Sequence, residues 1–171
     1  MITNFKIFEN LDPFTQKVLN IELLKYSSSL SSLETMRNLI KAGADVNYNN
    51  INDGTPLMNA AKKMFYSGIK LLIDNGADVN IKNNKNDETA LMYISLLPTY
   101  TLRKNINNIK RIIDLFIEAD VDLNSKTLND RDLFYILGYS SELELTKYIQ
   151  EKYPEKYQEY LIKKDSNKYN L

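Results

Sequence analysis

Apolar residues fall at helical spacing in three separate stretches: Leu33, Met36, Leu39 and Ile40; Tyr66, Ile69, Leu72 and Ile73; and Ile109, Ile112, Ile113 and Phe116. Steps of three and four put each set on one face, so each stretch predicts an amphipathic helix with a buried stripe. The first two stretches stop at Gly43 and Gly76, where a missing Cβ opens the left-handed backbone conformation that ends a helix. Thr55-Pro56 starts another helix, because Thr caps free N–H groups and Pro fits the first turn. Asp12-Pro13 does the same ahead of Val18, Ile21 and Leu24, and Pro154 opens a short helix through Tyr157, Tyr160 and Leu161. Between these elements lie Asn52-Asp53, Asn86-Asp87 and Asn129-Asp130, pairs that tolerate positive φ as a hairpin tip requires. The predicted order is helix, short turn, helix, extended excursion, over and over.

The excursions carry a repeated motif. Gly43-Ala44-Asp45-Val46-Asn47 returns as Gly76-Ala77-Asp78-Val79-Asn80, 33 residues later. Thr55-Pro56-Leu57-Met58-Asn59-Ala60-Ala61 returns as Thr89-Ala90-Leu91-Met92-Tyr93-Ile94-Ser95, and the two markers alternate. Self-similarity at such a period signals a stacked repeat architecture. A degenerate third copy, Asp120-Val121-Asp122-Leu123-Asn124, follows an expansion after Ser95. A fourth unit runs from Asp132-Leu133-Phe134-Tyr135-Ile136-Leu137-Gly138 to Leu143–Ile149, and Pro154 ends the array.

Together the markers resemble the ankyrin repeat, whose pattern is Thr-Pro-Leu-His-x-Ala-Ala, a second helix, then Gly-Ala-Asp-Val-Asn. The resemblance spans roughly residues 22 to 153. It implies an all-α, ankyrin-repeat solenoid of stacked helix-turn-helix units with short β-hairpin projections. The expected organisation is a single domain over 1–164. A segment and capping helix (1–21) precede repeats at about 22–54, 55–88, 89–131 and 132–153, and a second capping helix follows (154–164). Residues 165–171 have little apolar content and are expected to be disordered. Two departures stand out. The His of the family pattern is Met58, Met92 and Tyr135 here, so apolar packing replaces its hydrogen bonds. Asp120 occupies a Gly slot, where a Cβ is less comfortable.

Composition narrows the chemistry. The 171-residue chain contains no Cys, His or Trp. Disulfides, thiolate nucleophiles, Cys/His metal sites and Ser-His-Asp arrangements are thereby excluded. Only carboxylate, Lys or Tyr chemistry remains, and no motif assembles it; no phosphate-cradling Gly-rich stretch occurs among the five glycines. A carboxylate enzyme is therefore the least favoured reading, and no enzyme and no cofactor are expected. Twenty-two basic residues balance 22 acidic ones, so neither nucleic acid nor a membrane surface is an expected partner. No apolar run reaches the length of a membrane span, and the start lacks a secretory signal pattern. A cytoplasmic location is expected, with delivery into a host cell as the alternative. The abundance of Asn, Ile, Lys and Tyr fits an AT-rich genome.

The resemblance implies protein–protein recognition by the hairpin tips and first helices, which form the concave face in this family. By register that surface comprises Asn49, Ile51, Asn52, Lys62 and Lys63, then Lys82, Lys85, Glu88, Leu96 and Leu97. Lys126, Leu128, Arg131 and Tyr139 continue it, with Ser125, Thr127 and Ser140 beside them. The expansion from Leu96 to Asn107 reads as a loop outside the repeated unit or as added helix. The tyrosines Tyr148, Tyr153, Tyr157 and Tyr160 suit a cap more than an interface. Asp45, Asp78 and Asp122 align because the repeat recurs, which favours turn-stabilising roles over metal or acid–base chemistry. A monomeric adaptor is the expected form, with a host-directed effector or a self-associating structural protein as alternatives.

Overall fold

A computed structural model of the chain describes residues 11–134 and 143–169; Tyr135 to Tyr139 and Ser140 lie outside them. Nine helices occur among the described residues: α1 (Pro13–Tyr26), α2 (Leu33–Lys41), α3 (Pro56–Lys62), α4 (Tyr66–Asp74), α5 (Ala90–Ser95), α6 (Thr99–Lys104), α7 (Ile106–Glu118), α8 (Leu143–Lys152) and α9 (Pro154–Tyr169). Local chemistry sets their starts. Asp12 accepts the N–H groups of Phe14 (3.0 Å) and Thr15 (3.1 Å), and Thr55 accepts that of Met58 at 3.3 Å. Both satisfy donors that a first helical turn leaves open.

The helices stack in two layers. α1 packs on α2, α3 on α4 and α5 on α7; α1, α3 and α5 form the first layer, and α2, α4 and α7 the second. Leu23, Met36, Leu57, Ile69, Leu72, Leu91, Ile112 and Phe116 are buried in one continuous core. Removing such side chains from water, at about 1.5–3 kcal/mol each, is the main drive for stacking units that cannot bury their own faces. Met58 is fully buried, and its Sδ accepts the Thr55 N–H at 3.3 Å, so a thioether stands where the family has an imidazole.

Adjacent repeats are also tied by a ladder of asparagines. Asn47 donates from Nδ2 to the Gly76 carbonyl (3.0 Å) and accepts the Asp78 N–H at Oδ1 (2.8 Å). Asn80 makes the same pair of bonds with the Asp120 carbonyl (3.2 Å) and the Asp122 N–H (2.7 Å). At the other end the rung is divided. Gln16 donates to the Gly43 carbonyl (2.8 Å), while Asn20 of α1 accepts the Asp45 N–H (2.8 Å). One carboxamide carries both a donor group and an acceptor group, so a single side chain can bond a carbonyl and an N–H of the neighbouring loop together.

The excursions between repeats are hairpins in outline only. Single antiparallel bridges, Asn50 with Gly54 and Lys82 with Thr89, stand where short strands were expected. Their tips bend through positive φ at Gly54 (76°), Asp87 (57°) and Asp130 (58°). In the first hairpin the left-handed residue falls one place later, at Gly54, where the positive φ and the lack of a Cβ beside Met58 Sδ both favour glycine.

Two expected boundaries move, and the expansion takes the second of its two readings. α1 runs unbroken across residue 22 and packs as the first helix of the first repeat, so no separate capping helix ends at 21. The expansion is no outlying loop: it folds as α6, and Leu102 is fully buried in the core. The terminal helix continues to Tyr169, through residues expected to be disordered. Ion pairs at helical spacing, including Lys163–Glu159 at 3.1 Å, support a helix of low apolar content.

Candidate functional site

The hairpins join the second helix of one unit to the first-layer helix of the next, and they are linked to one another. Asn49 donates to the Lys82 carbonyl (3.0 Å), and Lys82 Nζ reaches on to the Lys126 carbonyl (2.7 Å). The Leu128 N–H donates to the Asn86 carbonyl at 2.8 Å. Asn49 and Lys82, both candidate contact residues, are thus engaged in holding the hairpin layer together. Asn49 Oδ1 is buried without a hydrogen-bond partner.

Within the second hairpin Asn83 organises the turn. Its Oδ1 accepts from the N–H groups of Asn86 (2.7 Å), Lys85 (3.1 Å) and Glu88 (3.4 Å). Its Nδ2 donates to Glu88 (3.3 Å) and to the Tyr93 hydroxyl. Burial raises the Tyr93 phenol above its ordinary range, the Asn83 bond opposing it. Neither Asn83 nor Tyr93 stood among the candidate contact residues. The signal for Tyr93 was present in the repeat register, where it occupies the slot of Asn59.

The remaining candidates divide by exposure. Ile51 (74% exposed) and Leu128 (65%) stand at hairpin tips, and Leu96 (48%) at the end of α5. Asn52, Lys63, Lys85 and Arg131 are exposed, whereas Leu97 packs against the core. Lys126 pairs with Asp130 at 2.7 Å. Tyr139 lies outside the described residues. Lys62 sits half-buried with Nζ 4.3 Å from the centroid of the Tyr93 ring, a cation–π distance. Burial lowers its pKa, and the charges of Asp53 and Glu88 pull in the opposite direction.

The aligned aspartates take turn roles. Asp45, Asp78 and Asp122 each accept the N–H two residues on, from Asn47 (2.8 Å), Asn80 (2.8 Å) and Asn124 (3.0 Å). Among the described residues no group of three or more carboxylates is arranged to hold a metal ion. No helix of the described residues is long and apolar enough to cross a membrane.

A family model for ankyrin repeats, three copies long, matches residues 23–127. The chain belongs to the ankyrin repeat family. It is similar to an ankyrin repeat protein of Acanthamoeba polyphaga mimivirus, 46% identical over 87 residues, covering 46% of this chain and 52% of that one. It is also similar to the Ankyrin repeat and KH domain-containing protein mask-1 of Caenorhabditis elegans, 42% identical over 65 residues, covering 38% of this chain and 2% of that protein. The chain thus spans about half the length of the viral relative and a small fraction of the nematode one. Ankyrin repeats are in general protein–protein interaction modules and a non-enzymatic scaffold.

Proposed function

We propose that this chain binds another protein through the hairpin tips and the groove beside the first-layer helices, as a preformed surface without cofactor or catalysis. The observation that carries the reading is the placing of Ile51 and Leu128. Both are large apolar side chains left mostly in water, on hairpins linked across repeats through Asn49, Lys82 and the Leu128 N–H. Exposed apolar anchors on a rigid support favour binding, because little ordering entropy is lost on contact.

The test is affinity capture from a lysate of the source organism, followed by variants of the captured pair. Ile51→Asp and Leu128→Asp are expected to weaken binding by about 1–3 kcal/mol while the thermal midpoint stays near that of the parent. Charge reversal at Lys70, exposed on α4 of the second layer, or at Lys147, exposed on α8, is expected to change neither. Capture that survives the tip variants and fails in the second-layer ones would move the site to the opposite face.

A further inference from the structure

We propose that the partner of the groove presents a peptide Asp or Glu carboxylate to the Lys62 ammonium, next to an apolar side chain that enters the cavity between α1 and the first hairpin. This inference rests on the groove side being the binding surface.

Most engaged lysines meet a carboxylate, and Lys82 makes a short bond of 2.7 Å to a carbonyl; Lys62 does neither. Lys70, Lys110, Lys126 and Lys152 each meet a carboxylate, at 3.0, 2.6, 2.7 and 2.7 Å. The hydrogen bonds of Lys62 are long and go to neutral oxygens, the Asp53 carbonyl (3.4 Å) and Asn59 Oδ1 (3.5 Å). It also lies over the face of Tyr93, and the charges of Asp53 and Glu88 act on it. An ammonium is a compact, strongly hydrated charge, and removing water from it without a close anion is unfavourable. The lowered pKa of Lys62 has burial as its first cause and agrees with that geometry. A carboxylate arriving at Nζ replaces the lost hydration with a charge-assisted bond.

The second half of the recognition lies alongside. Asp53 and Asn59, the two residues that hold Lys62, also line a cavity of about 220 Å³ between α1, the first hairpin and α3. Leu24 and the partly exposed Ile21 supply its apolar wall, and Lys25 stands at its edge, only loosely paired with Glu22 at 3.6 Å. An apolar side chain fits that wall, with its acidic neighbour in reach of Lys62 or Lys25. A nucleic-acid phosphate would also suit an ammonium. It has no use for the apolar wall, however.

The test pans a phage-displayed library of random peptides against the whole chain and titrates enriched peptides by fluorescence anisotropy. Enriched sequences are expected to set Asp or Glu beside Leu, Ile, Met or Phe. Lys62→Gln is expected to weaken them about tenfold or more, Lys62→Arg to retain binding, and Lys70→Gln to have no effect. Changing the peptide acid to its amide should cost the same factor in the parent and little in Lys62→Gln. Thermal melts of both Lys62 variants establish that they fold. Peptides that lack an acid, or that bind Lys62→Gln as well as the parent, overturn the carboxylate proposal; the groove reading still stands if Ile21→Asp and Ile51→Asp abolish binding. Peptides indifferent to those two changes overturn both. A library with no enrichment, or a chain that takes a single-stranded oligonucleotide in preference to the peptides, overturns the proposal as well.

Discussion

Asp120 places two local forces in opposition. Its backbone is left-handed, φ 60°, where a Cβ crowds the following carbonyl, and Gly43 and Gly76 hold the equivalent positions at 97° and 86°. Its exposed carboxylate meanwhile pairs with Lys156 of α9. The hydrogen bond and charge of Lys156 hold the Asp120 carboxyl below the ordinary carboxylate range. Strain relief favours Gly and the ion pair favours Asp, but an exposed pair contributes little. Asp120→Gly is therefore expected to raise the thermal midpoint slightly, and to raise it more in a Lys156→Gln background. A lowered midpoint in that background would show that backbone strain at Asp120 is not the governing term.

At the scale of elements, α7 and α8 are joined through one carboxylate. Asp114 accepts from the hydroxyls of Tyr148 (2.7 Å) and Tyr153 (2.7 Å) and from Lys152 (2.7 Å). Burial alone would raise its pKa, but the bonds from Lys152, Tyr153 and Tyr148 outweigh that and hold it below its ordinary value of 3.8. A depressed folded-state carboxylate adds stability that is complete above the unfolded value and is lost as pH falls through the folded one. Urea titrations should therefore show stability falling below about pH 4, and Asp114→Asn should flatten that acid limb. At neutral pH the same change is expected to cost about 1–2 kcal/mol, since two part-buried phenols lose a charged acceptor. α6 offers a second case. Leu102→Ala should destabilise by about 2–4 kcal/mol, as for a core leucine; a cost near zero in urea melts would return the segment to a peripheral loop.

Across the whole molecule, each unit touches its neighbours and little else, so damage should stay near its origin. The C-terminal end is held by aromatic stacking of Phe134 with Tyr157 (5.2 Å between centroids) and Tyr160 (4.3 Å), and by the Tyr160 hydroxyl on Asp132 (3.1 Å). Tyr160→Ala is expected to cost about 3–5 kcal/mol locally. In hydrogen exchange, α8 and α9 should lose protection while α3 and α4 keep theirs. Equal loss throughout would mean that the stack opens as one unit. The same linearity carries the proposed surface: linked hairpins hold Ile51 and Leu128 in the first and third of them, and α3 holds Lys62 beside the first.

The sequence by itself determined whatever depends on residues close together in the chain. Thr55-Pro56 starts a helix, Gly43 and Gly76 end theirs, and the stripe Tyr66, Ile69, Leu72 and Ile73 is core because 3.6 residues make a turn. The period of 33 residues then gave the stack, since identical local structures repeat the same packing. Tertiary structure alone decided what spans repeats. Nothing local to Asp114 announces three donors lying 34 to 39 residues further on. Nothing in the expansion singles out Leu102 as core, because α6 matches no other unit and the repeat pattern does not apply to it. Asn49, Lys82 and Lys62 were legible as groove residues, but their partners were not: whether a long polar side chain meets a carbonyl, a ring or water is set by how far one repeat rotates on the next, and that angle comes from the packing of many side chains at once.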